Sequence, residues 1–177
     1  MDKWEMGDVS LNAGKWRKGM NDEKTLEIVK KGSWFHREYH VCTTSGEKLY
    51  SIYDESKDGK SCFLLKDAQA NEIGSVSAGN YGISLAYNAK FGDEEDRIGI
   101  GMDRWKKSFE FPKYGLKMAQ KGMSDKFDLL MDSGSCIGKV CHKANKYILS
   151  LETPGKLLPA LFLFMTMKGS DLVQDRI

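Results

Sequence analysis

Basic and aromatic side chains alternate in one short stretch of the sequence, between residues 104 and 114. Ammonium and guanidinium groups beside an aromatic ring suit the phosphate of a lipid headgroup at a membrane interface. The residues that this pattern predicts to bind lipid are Arg104, Trp105, Lys106, Lys107 and Lys113. The same alternation also arises on any strand with one solvated face, which is the alternative interpretation.

The charge of the chain as a whole is nearly balanced. It carries 27 Lys and Arg against 25 Asp and Glu, a formal net charge of +2. Such a balance gives no overall field of the strength that nucleic-acid binding requires, so we expect no nucleic-acid partner. Charge is segregated only locally. The acidic residues at 93–96 are predicted to form a turn between strands at 82–89 and 97–102, a further strand is predicted at 108–111, and mostly basic residues extend from 104 to 121.

Three motifs come close to known ligand-binding loops but lack an essential feature. Residues 54–59 match the first half of an EF-hand loop, yet Leu65 stands where the bidentate glutamate belongs. Residues 134–140 are one residue short of a P-loop and lack the Ser or Thr that holds magnesium. Residues 99–101 precede no predicted helix that could bind a dinucleotide phosphate. We interpret the first as a turn and the second as the start of a strand.

The histidines and cysteines do not assemble a metal site or a nucleophile. On a strand, His36 and His40 would share a face but stand about 13 Å apart, too far to bind one ion. Cys141 and His142 are adjacent, so a strand would direct them to opposite faces. We therefore expect no catalytic residue, no bound metal and no cofactor, and predict a binding module rather than an enzyme.

The first residues of the chain include no apolar stretch typical of a secretory signal. The four cysteines, Cys42, Cys62, Cys136 and Cys141, are accordingly expected to be reduced thiols. We expect a monomeric, cytoplasmic protein that can be peripheral to a membrane.

The segments that must position these residues are short and strand-like. From Leu26 onward, apolar or alternating runs end repeatedly in turn signals, and the chain has 18 glycines against 3 prolines. Roughly ten to twelve strands spaced 8–12 residues apart are typical of a sandwich or a barrel. No amphipathic helix separates the runs, which disfavours parallel β-α-β units.

The tail breaks this pattern, because residues 157–167 are apolar without alternation. The run is too short for a bilayer span, which needs about 20 residues. A helix that is apolar on every side must be surrounded on every side, and in a β protein the bore of a closed barrel does this. A central strand of a sandwich is the alternative. Residues 170–177 are expected to be a polar terminus that can be removed with little effect.

The order of these segments resembles the tubby C-terminal-like superfamily, and within it the LURP-one-related proteins and the phospholipid scramblases. The segments that carry the resemblance are residues 72–76, 105–111, 114–118, 127–130, 136–140, 147–151 and 157–167. The motif Ile/Val-Gly-x-Val recurs in them, at Ile73 and again at Ile137. The resemblance implies a mainly β fold, a closed antiparallel barrel of about twelve strands around a buried C-terminal helix. Residues 1–22 would be an N-terminal arm and residues 23–177 the barrel domain.

The resemblance also bears on function. Scramblases carry an acidic calcium-binding segment before the terminal helix, but residues 150–154 hold one carboxylate, Glu152, so calcium-driven scrambling is not implied. Tubby proteins bind phosphoinositide headgroups through basic residues on the barrel wall. The function implied here is reversible association with anionic membrane lipid. The alternative is a protein-interaction adaptor or scaffold whose partner surface includes the N-terminal arm.

Overall fold

The computed structural model describes residues 25–32, 37–57, 60–81, 84–122 and 124–174 of the chain. Within these residues, twelve antiparallel strands close into a barrel in which each strand pairs with the next, and β1 pairs with β12. The strands are β1 (Thr25–Lys31), β2 (Glu38–Thr43), β3 (Lys48–Asp54), β4 (Cys62–Asp67), β5 (Glu72–Tyr81), β6 (Ser84–Phe91), β7 (Glu94–Asp103), β8 (Lys106–Phe111), β9 (Leu116–Gln120), β10 (Lys126–Met131), β11 (Cys136–Lys143) and β12 (Lys146–Leu151). A helix, α1 (Leu157–Gln174), follows them. The predicted N-terminal arm, residues 1–22, lies outside the described residues.

The helix occupies the interior of the barrel. Residues 157–167 are all buried, although α1 has no single apolar stripe. Phe164 meets the ring of Tyr39 on β2 edge-on at 5.8 Å, and Phe162 lies 6.3 Å from Phe111 on β8. Because one helix reaches strands on opposite sides, the wall must surround it. The predicted closed β-barrel around a buried C-terminal helix is confirmed, and the sandwich-strand alternative for this segment is wrong.

The strands supply the other half of the core through simple alternation. In β1, Leu26 and Ile28 are fully buried while their neighbours are half-exposed, and Tyr39 and Val41 repeat this in β2. Successive side chains of a strand point to opposite faces, so one row lines the bore and packs on α1. The outward row of the same strands remains available to solvent.

Three of the described strands contain a β-bulge, in each case close to the first residue of the strand. The unpaired residue of the bulge is Leu49 in β3, Ile73 in β5 and Ile137 in β11. An extra residue bends the strand and increases its twist, as is common at barrel rims. The recurring Ile-Gly motif of the sequence is therefore a bulge motif in two of the three cases. In both, the glycine that follows, Gly74 or Gly138, is buried.

The barrel has two distinct ends, which we name by the helix. The proximal end carries the β2–β3, β4–β5, β6–β7, β8–β9 and β10–β11 connections, and α1 begins there. At this end Lys156 Nζ donates a hydrogen bond of 3.1 Å to the Tyr114 carbonyl. The distal end carries the β1–β2, β3–β4, β5–β6, β7–β8, β9–β10 and β11–β12 connections. There the last turns of α1 contact the wall, and Ser61 Oγ donates a hydrogen bond of 3.2 Å to the Gly169 carbonyl.

Two boundaries differ from those expected. Residues 94–96, predicted as part of an acidic turn, begin β7, because Gly92, at φ 59°, makes the turn instead. Residues 170–174, predicted as part of a polar terminus, continue α1. Asp171 there forms ion pairs with Lys107 and Lys168, so the helix end is docked rather than solvated.

Candidate functional site

The hairpin between β7 and β8 is closed by a two-residue turn of two large side chains. Asp103 pairs with Lys106 across it, and the residues between them, Arg104 and Trp105, have φ values of 49° and 72°. Turns with two positive φ values strongly prefer Asn-Gly, because a Cβ atom is strained in this region. Arg104 and Trp105 therefore each cost about 1 kcal/mol or more in backbone strain relative to a residue that adopts positive φ freely.

The tip of this hairpin is the most apolar exposed point on the described surface. Trp105 is 80% exposed and Met102 is 58% exposed, and no other large hydrophobic residue among the described side chains is exposed. Met102 belongs to the row that faces the bore, two residues after the half-buried Ile100, but it lies beyond the barrel rim. An exposed pair of this kind indicates a contact surface when polar residues border it.

Arg104 and Lys106 border the two apolar residues. Both side chains are exposed, and neither forms an ion pair with any residue in the described ranges. The structure thus brings three of the predicted lipid-binding residues, Arg104, Trp105 and Lys106, together at one hairpin tip. Met102 was missed by the sequence pattern, because its exposure depends on a turn that carries no sequence signal.

Lys107 faces the interior of the rim instead. Its side chain is 18% exposed, and its Nζ lies 3.1 Å from Oδ1 of Asp171 on α1. Its backbone N–H donates to Oε1 of Gln120 at 3.0 Å. Lys107 therefore ties the helix end to the wall, and its charge is already compensated by Asp171.

Lys113 lies at the proximal end, at the far end of β8 from the hairpin tip. Its Nζ donates hydrogen bonds of 3.0 Å to Asp96 and 3.1 Å to Glu94. The bond to Asp96, followed by the bond to Glu94, outweighs partial burial and raises the pKa of Lys113. Lys113 is thus paired with the acidic cluster at the proximal end and does not extend the hairpin surface.

Beside the hairpin, a pocket of about 110 Å³ opens between the end of α1 and the wall. Tyr147 and Asp171 are among the residues that line it. Lys168 Nζ donates a hydrogen bond of 3.1 Å to the Tyr147 hydroxyl and lies 3.7 Å from Oδ2 of Asp171. Burial alone lowers the pKa of Lys168, but Tyr39, Tyr147 and Asp171 together leave it raised. The ammonium stays charged and closes the barrel end through Asp171.

The remaining candidate residues are spread over the wall. Cys42 and Cys62 are half-buried, and burial raises the pKa of both thiols, which keeps them protonated and poorly nucleophilic. His40 Nε2 lies 2.7 Å from Oε1 of Glu38, whereas His36 lies outside the described residues. Over the ranges that the structure describes, no three His, Cys, Asp or Glu side chains converge as a metal site would require.

The incomplete loop motifs occupy turns and strands. Residues 54–57 lead out of β3 into the β3–β4 connection, and residues 99–101 lie within β7. Residues 134–140 pass from a turn into β11, as the sequence predicts. Among the described residues, no helix has both the length and the apolar character needed to cross a bilayer.

Comparison with known proteins adds information on the fold. No protein-family model and no curated protein matches the sequence. An X-ray structure of a protein from Arabidopsis thaliana is similar, with a TM-score of 0.53 over 80% of this chain and 90% of that chain. The two sequences are 8% identical, so this similarity extends to the barrel architecture and no further.

Proposed function

We propose that the protein is a non-catalytic binding module that associates reversibly with anionic membrane lipid through the β7–β8 hairpin. The observation that carries the proposal is the tip itself, where a Trp that is 80% exposed stands beside two exposed cations. An indole is at its most favourable in the interfacial region of a bilayer, and Arg and Lys beside it meet lipid phosphates. Two consecutive large residues at positive φ, Arg104 and Trp105, fit a turn kept for a function, although Ala70 and Ala144 adopt positive φ singly in other turns.

The hairpin alone supplies weak, reversible binding. Each Lys or Arg near an anionic surface contributes about 1 kcal/mol, so Arg104 and Lys106 contribute about 2 kcal/mol. Burying about 100 Å² of the indole adds roughly 2.5 kcal/mol at about 25 cal/mol per Å². A sum of this size fits a peripheral protein that releases when salt screens its charge.

The wider proposal places the chain in the tubby-like superfamily, close to the LURP-one-related proteins. The barrel around a C-terminal helix and the recurring Ile-Gly bulges support it. Residues 150–154, immediately before α1, carry only Glu152 as a carboxylate, which argues against the calcium-driven scrambling of the scramblase branch. Phosphoinositide-like headgroups are the ligand class that this membership would favour.

Charge reversal at the tip tests the proposal. We expect wild-type protein to sediment with phosphatidylcholine–phosphatidylserine vesicles and to be released as salt rises from about 0.05 to 0.5 M. Arg104→Glu/Lys106→Glu should weaken binding by at least about 25-fold, because each lost cation is worth about fivefold. Lys90→Glu/Lys139→Glu, with the same net charge but altered on the barrel wall, is the control. Wild-type protein that ignores anionic vesicles at low salt would eliminate the lipid proposal and leave the adaptor alternative.

Replacing Trp105 with Gly separates function from stability. Glycine adopts a positive φ without strain, so Trp105→Gly should raise the free energy of unfolding by up to about 1 kcal/mol. The same change removes the indole and should weaken vesicle binding at least about tenfold. Urea denaturation and vesicle sedimentation measure the two effects. A variant that is stabilised yet binds like wild type would show that the exposed indole has no part in binding.

A further inference from the structure

The hairpin tip is one of three neighbouring hairpins at the distal end. The β7–β8, β9–β10 and β11–β12 hairpins follow one another around the rim, because β8 pairs with β9 and β10 with β11. Neighbouring strands are about 4.8 Å apart, so adjacent hairpins lie about 10 Å apart and the three span an arc of about 25 Å. This arc is wide enough to rest on a surface as a unit.

Exposed cations continue along this arc beyond the first hairpin. Lys121 and Lys126 flank the β9–β10 connection, and Lys143 ends β11. All three are exposed, and within the described ranges none of them forms an ion pair. By contrast Lys146, the next lysine along, is engaged by Glu27 at 2.8 Å. The three hairpins therefore present five exposed cations that lack an ion-pair partner within the described ranges, beside two exposed carboxylates, Asp103 and Asp125.

The opposite end of the barrel has the opposite character. Its connections and their borders carry the exposed carboxylates of Asp93, Asp132 and Glu152 beside the exposed Lys48, while its Lys113 is paired with Glu94 and Asp96. Separation of charge along the barrel axis orients a molecule before contact and turns its positive end toward an anionic surface. The distal end would therefore approach a membrane first.

We infer that the barrel docks end-on, with the membrane-facing surface formed by Arg104, Lys106, Lys121, Lys126 and Lys143 around the apolar Trp105 and Met102. This inference rests on the proposed function and specifies its surface and orientation. A lipid surface is the partner because two exposed apolar side chains, Trp105 and Met102, lie at the same end of the barrel as the cations. A soluble headgroup would leave them in water, whereas the interfacial region of a bilayer takes up both.

Three lysines that lie outside the lipid-binding stretch predicted at residues 104–114 provide the test. Lys121→Glu/Lys126→Glu/Lys143→Glu is compared with Lys48→Glu/Lys90→Glu/Lys139→Glu, which has the same net charge but changes exposed lysines elsewhere on the barrel. Both are exposed-surface variants, and circular dichroism melting checks that both fold. On phosphatidylcholine–phosphatidylserine vesicles we expect the distal triple variant to bind at least about a hundredfold more weakly, at about fivefold per cation. The control triple variant should stay within about tenfold of wild type.

The outcomes distinguish this inference from the proposed function. If wild type binds vesicles and the distal triple variant binds equally well, the hairpin tip acts alone and end-on docking is wrong. Equal losses in the two triple variants would mean that only net charge matters, which also overturns it. Wild-type protein that fails to bind vesicles, or that prefers double-stranded DNA or free glycerophosphoserine, would refute the lipid function together with its surface.

Discussion

Phe162→Asp will prevent the barrel from folding. Phe162 is fully buried near the middle of α1, and its ring lies against Gly74 of β5 and 6.3 Å from the ring of Phe111. Loss of a buried Phe costs about 3–5 kcal/mol, and an unpaired carboxylate in a dry core adds several more. Native proteins are stable by only about 5–15 kcal/mol, so the sum removes most or all of the stability.

Expression yield, circular dichroism and urea denaturation check this result. Phe162→Leu, which keeps an apolar side chain of smaller volume, should remain folded and lose about 1–2 kcal/mol. Trp105→Asp introduces the same charge at an exposed tip and should melt within a few degrees of wild type. A soluble Phe162→Asp protein with wild-type melting would place this side chain at the surface and contradict a helix-filled barrel.

The buried helix could be predicted because one simple property specifies it. An apolar run without alternation has to be covered on all sides, and the strand signals before it leave a closed barrel as the cover. The alternation of Phe109 and Phe111 around Glu110 likewise indicated which face of β8 points inward, and both rings are buried. Local periodicity therefore determined the architecture.

The β7–β8 hairpin was harder to predict, because its turn carries none of the usual signals. Arg104 and Trp105 stand where Gly or Asn would normally mark the turn, so the strands were expected to end earlier, at Met102 and from Ser108. A residue held at positive φ against its own preference is recognisable only in three dimensions. The exposure of Trp105 follows from that turn and could not be derived from composition.

Which cations share a surface was predicted in part. Arg104 and Lys106 remain together because Arg104 lies in the turn and Lys106 follows it directly, but Lys107 points into the rim and Lys113 lies at the opposite end of β8. A cluster of charges in the sequence does not show which side chains point to the same face of a strand. It also does not show how far apart they lie along the strand, at about 3.4 Å per residue. Strand order brings Lys121, Lys126 and Lys143 to the same end of the barrel as the β7–β8 hairpin, since every second connection of an up-and-down barrel lies at the same end.

Any side chain added at the two buried glycines of the Ile-Gly motif will lower the stability of the barrel. A Cβ on Gly74 would collide with the Lys90 carbonyl and lie 2.6 Å from Cζ of Phe162. A Cβ on Gly138 would collide with the Ser150 carbonyl and approach Leu129 Cδ1 to 3.2 Å. Backbone atoms of a closed barrel cannot move aside as a flexible side chain can. We expect Gly74→Ala and Gly138→Ala each to lower the free energy of unfolding by about 1–3 kcal/mol.

Urea denaturation of the two single variants and the double variant measures this. The sites lie in β5 and β11, which do not pair with each other, so the losses should add and the double variant should lose about 2–6 kcal/mol. Gly99→Ala is the matched control, because nothing lies within 4 Å of its added Cβ, and it should change stability by less than about 1 kcal/mol. If the Gly138→Ala variant is as stable as Gly99→Ala, the Ile-Gly motif does not mark a place where neighbouring atoms approach the glycine closely. With the expected loss, the two glycines, of which Gly138 lies in the P-loop-like segment of the sequence, allow the bulged wall to close around its helix.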